Sequence, residues 1–168
     1  TITDANGCVK IDSAVITEPA ALLANITGTD PLCSLSCNGV VSAAPTGGAG
    51  SYTYLWMPGA CTTPSCTGLC AGTYTLVLTD TNNCSITDTI TLVDPLPITD
   101  VITSTNDSCN GSCDGTATVT ASGGTAPYTF LWCNGQTTGT ATGLCAGTCT
   151  VLITDTNGCS KIDSAIIT

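Results

Sequence analysis

The chain has 168 residues, 34 of them Thr and 18 Gly, and 12 acids against 2 bases give a net charge of −10. Such a polyanion repels phosphate backbones and anionic lipid, which argues against nucleic acid and membrane-surface partners. No His is present, so no Ser–His or Cys–His nucleophile can be assembled. Thirteen Cys with neither a CxxC pair nor a His fit disulfides in an oxidising, extracellular setting better than a metal protein. No apolar run approaches the ~18 residues of a membrane-spanning helix, and no signal peptide is visible, which says little for a chain without an initiating Met.

The chain repeats itself. Thr1–Thr17 (TITDANGCVKIDSAVIT) and Leu152–Thr168 (LITDTNGCSKIDSAIIT) agree at 13 of 17 positions, and Val77–Val93 is a looser copy. Cys8, Cys84 and Cys159 mark the copies, 76 and 75 residues apart. A period of that size dictates the architecture. It predicts a preceding repeat's last strand over residues 1–17, one unit over 18–94 and another over 95–168, read as a window on a longer array. Each unit opens after an acid–proline step, Glu18-Pro19 and Asp94-Pro95, short enough to hold neighbours end to end.

In chain order, each unit begins with an apolar stretch (Leu22–Thr27; Ile98–Thr103) and a turn-rich loop with two Cys. A second strand is expected over Gly39–Ala44 and Gly115–Ala121, followed by Gly-Gly turns at Gly47-Gly48 and Gly123-Gly124. The aromatic strands Tyr52–Trp56 and Tyr128–Trp132 alternate, placing Tyr52, Tyr54 and Trp56 on one face and Tyr128, Phe130 and Trp132 on its counterpart. Thr73–Thr79 is the most regular strand, with Tyr74, Leu76 and Leu78 inward, equivalent to Cys149, Val151 and Ile153. A turn at Asp80–Asn83 (Asp155–Gly158) leads to the last strand. Six or seven short strands, closely spaced turns and a central Trp predict an all-β chain of tandem immunoglobulin-like sandwiches. A two-layer β-solenoid is the alternative, disfavoured because its repeat is far shorter.

Three segments, GGTAPYTFLW (Gly123–Trp132), GLCAGTYTLVLTDTNNC (Gly68–Cys84) and TDTNGC (Thr154–Cys159), resemble the SprB repeat. That resemblance implies tandem domains of large, secreted surface adhesins of gliding Bacteroidota. The chain departs from the family in carrying six Cys per unit, where about two are usual. Asp12-Ser13-Ala14, Asp88-Thr89-Ile90 and Asp163-Ser164-Ala165 occupy matching places and look like the Bacteroidota O-glycosylation acceptor, making Ser13, Thr89 and Ser164 candidates. The competing reading is an Asp and a hydroxyl on the exposed face of the last strand.

Six Cys per unit can pair fully, leaving Cys8 for a partner in a preceding unit. Cys61 with Cys66 and Cys133 with Cys149 are unmatched between units, so each reads as one added bridge. Strict alternation points Cys133 away from Trp132, so that pairing needs a bulge or strand end. For the matched positions, Cys33–Cys84 with Cys37–Cys70, and Cys109–Cys159 with Cys113–Cys145, are preferred, and no free thiol is expected in 18–168. Cys33–Cys70 with Cys37–Cys84 remains open, because connectivity does not follow from sequence.

No cofactor is expected. Calcium at linker acids Asp80, Asp88 or Asp94, and a Cys₄ zinc site from Cys33, Cys37, Cys70 and Cys84, are the metal readings weighed against plain strand-terminating and disulfide roles. The acids sit at repeated turn and linker positions, which opposes a paired-carboxylate glycosidase. The expected function is therefore non-enzymatic: a stiff extracellular rod forming an adhesin stalk or filament, whose partners are neighbouring repeats and, in a filament, lateral copies. The rival is an accessory module of a secreted enzyme that binds carbohydrate through Tyr52, Trp56 or their copies.

Overall fold

Glycine-rich turns and β-branched runs give a chain built from strands alone. The computed structural model describes all of residues 1–168. A small hairpin, β1 (Ile2–Thr3) with β2 (Val9–Lys10), precedes two six-stranded bodies. In the first, β3 (Ile26–Thr29), β4 (Gly39–Ala43) and β6 (Ser65–Leu69) form one sheet in the order β3-β4-β6. It faces β5 (Tyr52–Met57), β7 (Gly72–Asp80) and β8 (Ser85–Leu92), ordered β5-β7-β8.

The second body repeats the plan. One sheet holds β9 (Thr99–Thr105), β10 (Gly115–Ser122) and β12 (Thr140–Leu144) in the order β12-β10-β9. The other holds β11 (Thr129–Trp132), β13 (Gly147–Thr154) and β14 (Ser160–Ile167), ordered β11-β13-β14. First, second and fourth strands face third, fifth and sixth, and all pairs are antiparallel. This is an immunoglobulin-like sandwich.

Alternation along the fifth strand builds each core. Tyr74, Leu76 and Leu78 are buried on β7, as Cys149, Val151 and Ile153 are on β13. Trp56 and Trp132, only 1% and 2% exposed, fill the space between the sheets. The inward faces predicted for these strands are the observed ones. The first strand of unit one differs from expectation, starting at Ile26 rather than Leu22. Asn25 has φ +46°, which breaks the extended run, and its amide donates to Ala44 O and Thr46 Oγ1.

The Gly-Gly turns hold the entry to each body. Gly48 N–H donates to Ala20 O and Gly124 N–H to Leu96 O, while Tyr52 and Tyr128 hydroxyls donate to Gly47 O and Gly123 O. A Cβ on Gly47 would stand 1.9 Å from Ala21 O and one on Gly123 2.0 Å from Pro97 O, so both positions require glycine.

Candidate functional site: the junction between the units

The turn between the last two strands is built the same way three times. Asp80 Oδ1 accepts from Asn82 N and Cys84 N, and Oδ2 from Ala49 N. Asp155 repeats this with Asn157, Cys159 and Thr125, and Asp4 holds Asn6 N and Cys8 N. A carboxylate ringed by N–H donors stays ionised. The Asp80 carboxyl is accordingly lowered, foremost by the Ala49 N–H. Burial is the largest influence on Asp155 and acts upward, but the N–H groups of Thr125, Cys159, Asn157 and Gly158 outweigh it and the net shift is down.

The loop after the first strand sits at the other end of each body. Ser36 N–H donates to Cys33 O, and Asn38 Oδ1 accepts from Leu32 N. In unit two Ser112 N–H donates to Cys109 O, and Asp114 accepts from Ser108 N, Ser108 Oγ and Ser112 Oγ. The Ser108 hydroxyl first, then the Ser112 hydroxyl and the Ser108 N–H, lower the Asp114 carboxyl to about 2.

The chain brings these two devices together between the units. Cys33, at the far end of unit one, is bonded to Cys159, at the near end of unit two, with Cα atoms 5.4 Å apart. Asn157 Nδ2 reaches Leu32 O at 3.5 Å. Asp94 of the linker accepts from Ser34 Oγ and Leu35 N, and Asp30 accepts from Val93 N. A cleft of about 370 Å³ lies here, walled by Leu32, Leu35, Leu96, Ile98 and Lys161. The junction is thus closed by two covalent tethers, the linker and a bridge.

That bridge corrects the expected pairing. Cys33–Cys84 and Cys109–Cys159 do not form, and Cys84 and Cys109 are free and exposed, as is Cys8. The nine residues of β7 separate Cys70 from Cys84, roughly 30 Å at ~3.3 Å per residue, whereas bonded Cys need Cα atoms within ~7 Å. The same distance rules out Cys37–Cys84 and a zinc site that includes Cys84. Cys37–Cys70, Cys113–Cys145, Cys61–Cys66 and Cys133–Cys149 are bonded. Cys133 meets Cys149 because β11 ends at Trp132 and the chain turns there, with Cys133 N–H on Thr150 O.

Ser13, Thr89 and Ser164 are exposed, and their N–H groups donate to Asp12, Asp88 and Asp163. Asp80, Asp88 and Asp94 lie at one end, the middle and the other end of the β7–β8 hairpin. No three His, Cys, Asp or Glu side chains gather as a metal-binding group.

The SprB repeat matches residues 25–61 and 101–137. One matched region lies in each unit. Each match runs from the first strand to just past the aromatic strand, so it includes the Cys33 or Cys109 loop and the Gly-Gly turn. No curated protein matches the chain. Solved structures similar to it include one from work on the structural basis for Dscam isoform specificity, at 11% identity and TM-score 0.36, covering 89% of this chain and 46% of that one. The chain thus spans about half the length of that structure. The amphioxus IgVJ-C2 molecule is similar at 14% identity and TM-score 0.34, with 86% of this chain and 97% of that chain covered.

Proposed function

We propose that these SprB repeats form a stiff, non-catalytic extracellular rod, serving as the stalk of a surface adhesin or the body of an extracellular filament. The observation that carries this reading is the Cys33–Cys159 bridge. A short linker alone lets two domains swivel; a second covalent tether beside it, between Cys33 and Cys159, restricts that freedom. The linker's carboxylate at Asp94 adds bonds to the Cys33 loop. A persistent disulfide of this kind belongs to an oxidising compartment, which supports an extracellular location.

Each unit should advance the rod by about 35–45 Å, given strands of roughly 23 Å plus loops. Small-angle X-ray scattering of the chain with Cys33→Ser and Cys159→Ser, against the unaltered chain, tests the reading. The unaltered chain should give a narrow, elongated distance distribution, and the double variant a broader one. Equal breadth in both would overturn the rod.

Trp56 and Trp132 serve the core, which leaves the sugar-binding alternative without an exposed indole. Exposed Ser13, Thr89 and Ser164 suit O-linked glycans on a surface so poor in charge, and intact-mass measurement of protein from its native source reads them out.

A further inference from the structure

Three thiols are left free, Cys8, Cys84 and Cys109. Two of them occupy the places of the two Cys that are bonded across the junction. Cys84 stands where Cys159 stands, on the turn held by Asp80 as Cys159's turn is held by Asp155. Cys109 stands where Cys33 stands, in a loop closed by the same Ser N–H to Cys carbonyl bond. The formed Cys33–Cys159 bridge shows what this pair of devices does when two units meet end to end. Cys84 lies at the entry end of unit one and Cys109 at the exit end of unit two, so the two-unit body presents one open half of the bridge at each end.

We propose that Cys109 of one two-unit body bonds to Cys84 of a second copy, repeating the Cys33–Cys159 bridge at every junction along the array. The occupant of each end is therefore the opposite end of another copy, rather than a different protein. The flanking polar contact is repeated as well: Asn82 takes the place of Asn157, and the backbone carbonyl of Ser108 takes that of Leu32. Both cysteines are exposed residues with no bond partner, so they are free to meet a second copy.

Bond formation removes two protons and two electrons from the thiol pair. A small disulfide such as glutathione disulfide accepts them by exchange: one thiolate attacks it, forming a mixed disulfide and releasing a glutathione thiol. The second thiolate then displaces the other glutathione, leaving one protein disulfide and two glutathione thiols. The inference rests on the rod reading for its biological use, but not for its chemistry.

The test uses the full chain with Cys8→Ser, to remove the third thiol, incubated at high concentration in a glutathione redox buffer. Non-reducing gels and peptide mapping read the products. A ladder of covalent multimers joined by Cys109–Cys84 peptides is expected. Adding Cys84→Ser or Cys109→Ser should abolish it, while an equimolar mixture of those two variants should give dimers only. These positions are exposed, and retention of the five native bridges checks that each variant folds. Monomers capped by glutathione at Cys84 and Cys109, or symmetric Cys84–Cys84 and Cys109–Cys109 dimers, would overturn the proposal. Either result leaves the scattering test of the rod untouched, because that test depends only on the internal bridge.

Discussion

The two units share one plan but stabilise it differently, and the differences show where the fold tolerates exchange. In unit one Ala24 is buried and Ile86 packs against the same core; in unit two the equivalent places hold Asp100 and Lys161. Lys161 Nζ lies 2.6 Å from Asp100 Oδ1, and the Asp100 side chain is fully buried with Oδ2 unpartnered. Tyr74 of unit one donates its hydroxyl to Cys70 O, whereas its counterpart Cys149 is bonded to Cys133. Trp132 Nε1 donates to Thr138 O, but Trp56 Nε1 is buried without a partner. An apolar pair and an ion pair, or a hydroxyl and a disulfide, thus serve one position each. What the units keep in common is the bridge beside the first loop, the capped turn and the Trp.

Truncating the shared Trp should have the largest effect. Trp56→Ala or Trp132→Ala is expected to cost its own unit about 3–5 kcal/mol, measured by hydrogen exchange on that unit. The comparison sharpens with Phe: Trp132→Phe should cost about 1 kcal/mol more than Trp56→Phe, because only the former strands a carbonyl partner. Equal costs would mean that the bond to Thr138 is immaterial.

The ion pair offers the next test. Lys161→Ile leaves Asp100 buried and uncompensated and should destabilise unit two by about 2 kcal/mol or more. Copying unit one fully, with Asp100→Ala and Lys161→Ile, should be neutral or stabilising. Each unit has a single Trp, so the two indole NMR signals follow the units separately during unfolding.

Removing the extra bridges should separate the units by less. Cys133 and Cys149 are 16 residues apart and Cys61 and Cys66 only 5, so loop entropy makes loss of the former costlier by about 1 kcal/mol. Denaturant midpoints of Ser variants at each pair check this.

The smallest effect is expected in acid. Asp114 is lowered from 3.8 to about 2 in the folded state, whereas unit one has the neutral Asn38 in its place. A depressed carboxyl contributes stability above its unfolded pKa and loses it as pH falls through the folded value. Unit two should therefore lose stability between pH about 4 and about 2 through this group, and Asp114→Asn should flatten that part of its profile. The capped Asp80 and Asp155 are both lowered, so they act in the same direction in both units.

Much of this was legible in the residues. The alternation of Tyr74, Leu76 and Leu78 gave the buried face, and the unmatched pairs Cys61/Cys66 and Cys133/Cys149 gave two bridges, because both are local properties of one strand or one substitution. The linker's role was only half visible: Asp94 looked like a strand terminator, but its carboxylate reaches 59 and 60 residues back to the Cys33 loop. The free thiols were missed because six Cys per unit invited pairing within the unit. One signal pointed the other way. In an antiparallel sandwich the end at which a loop lies follows from strand direction, and β7 carries the chain away from Cys37 and Cys70 before it reaches Cys84.

By itself the sequence determined the repeat, the all-β class, the inward face of each regular strand and the places of the turns at Asp80 and Asp155. These depend on periodicity and on contacts within a few residues. Only the tertiary structure decided which cysteines meet. Cys33 and Cys159 are 126 residues apart, and their contact depends on how two complete bodies stack through a linker whose geometry no short-range pattern encodes.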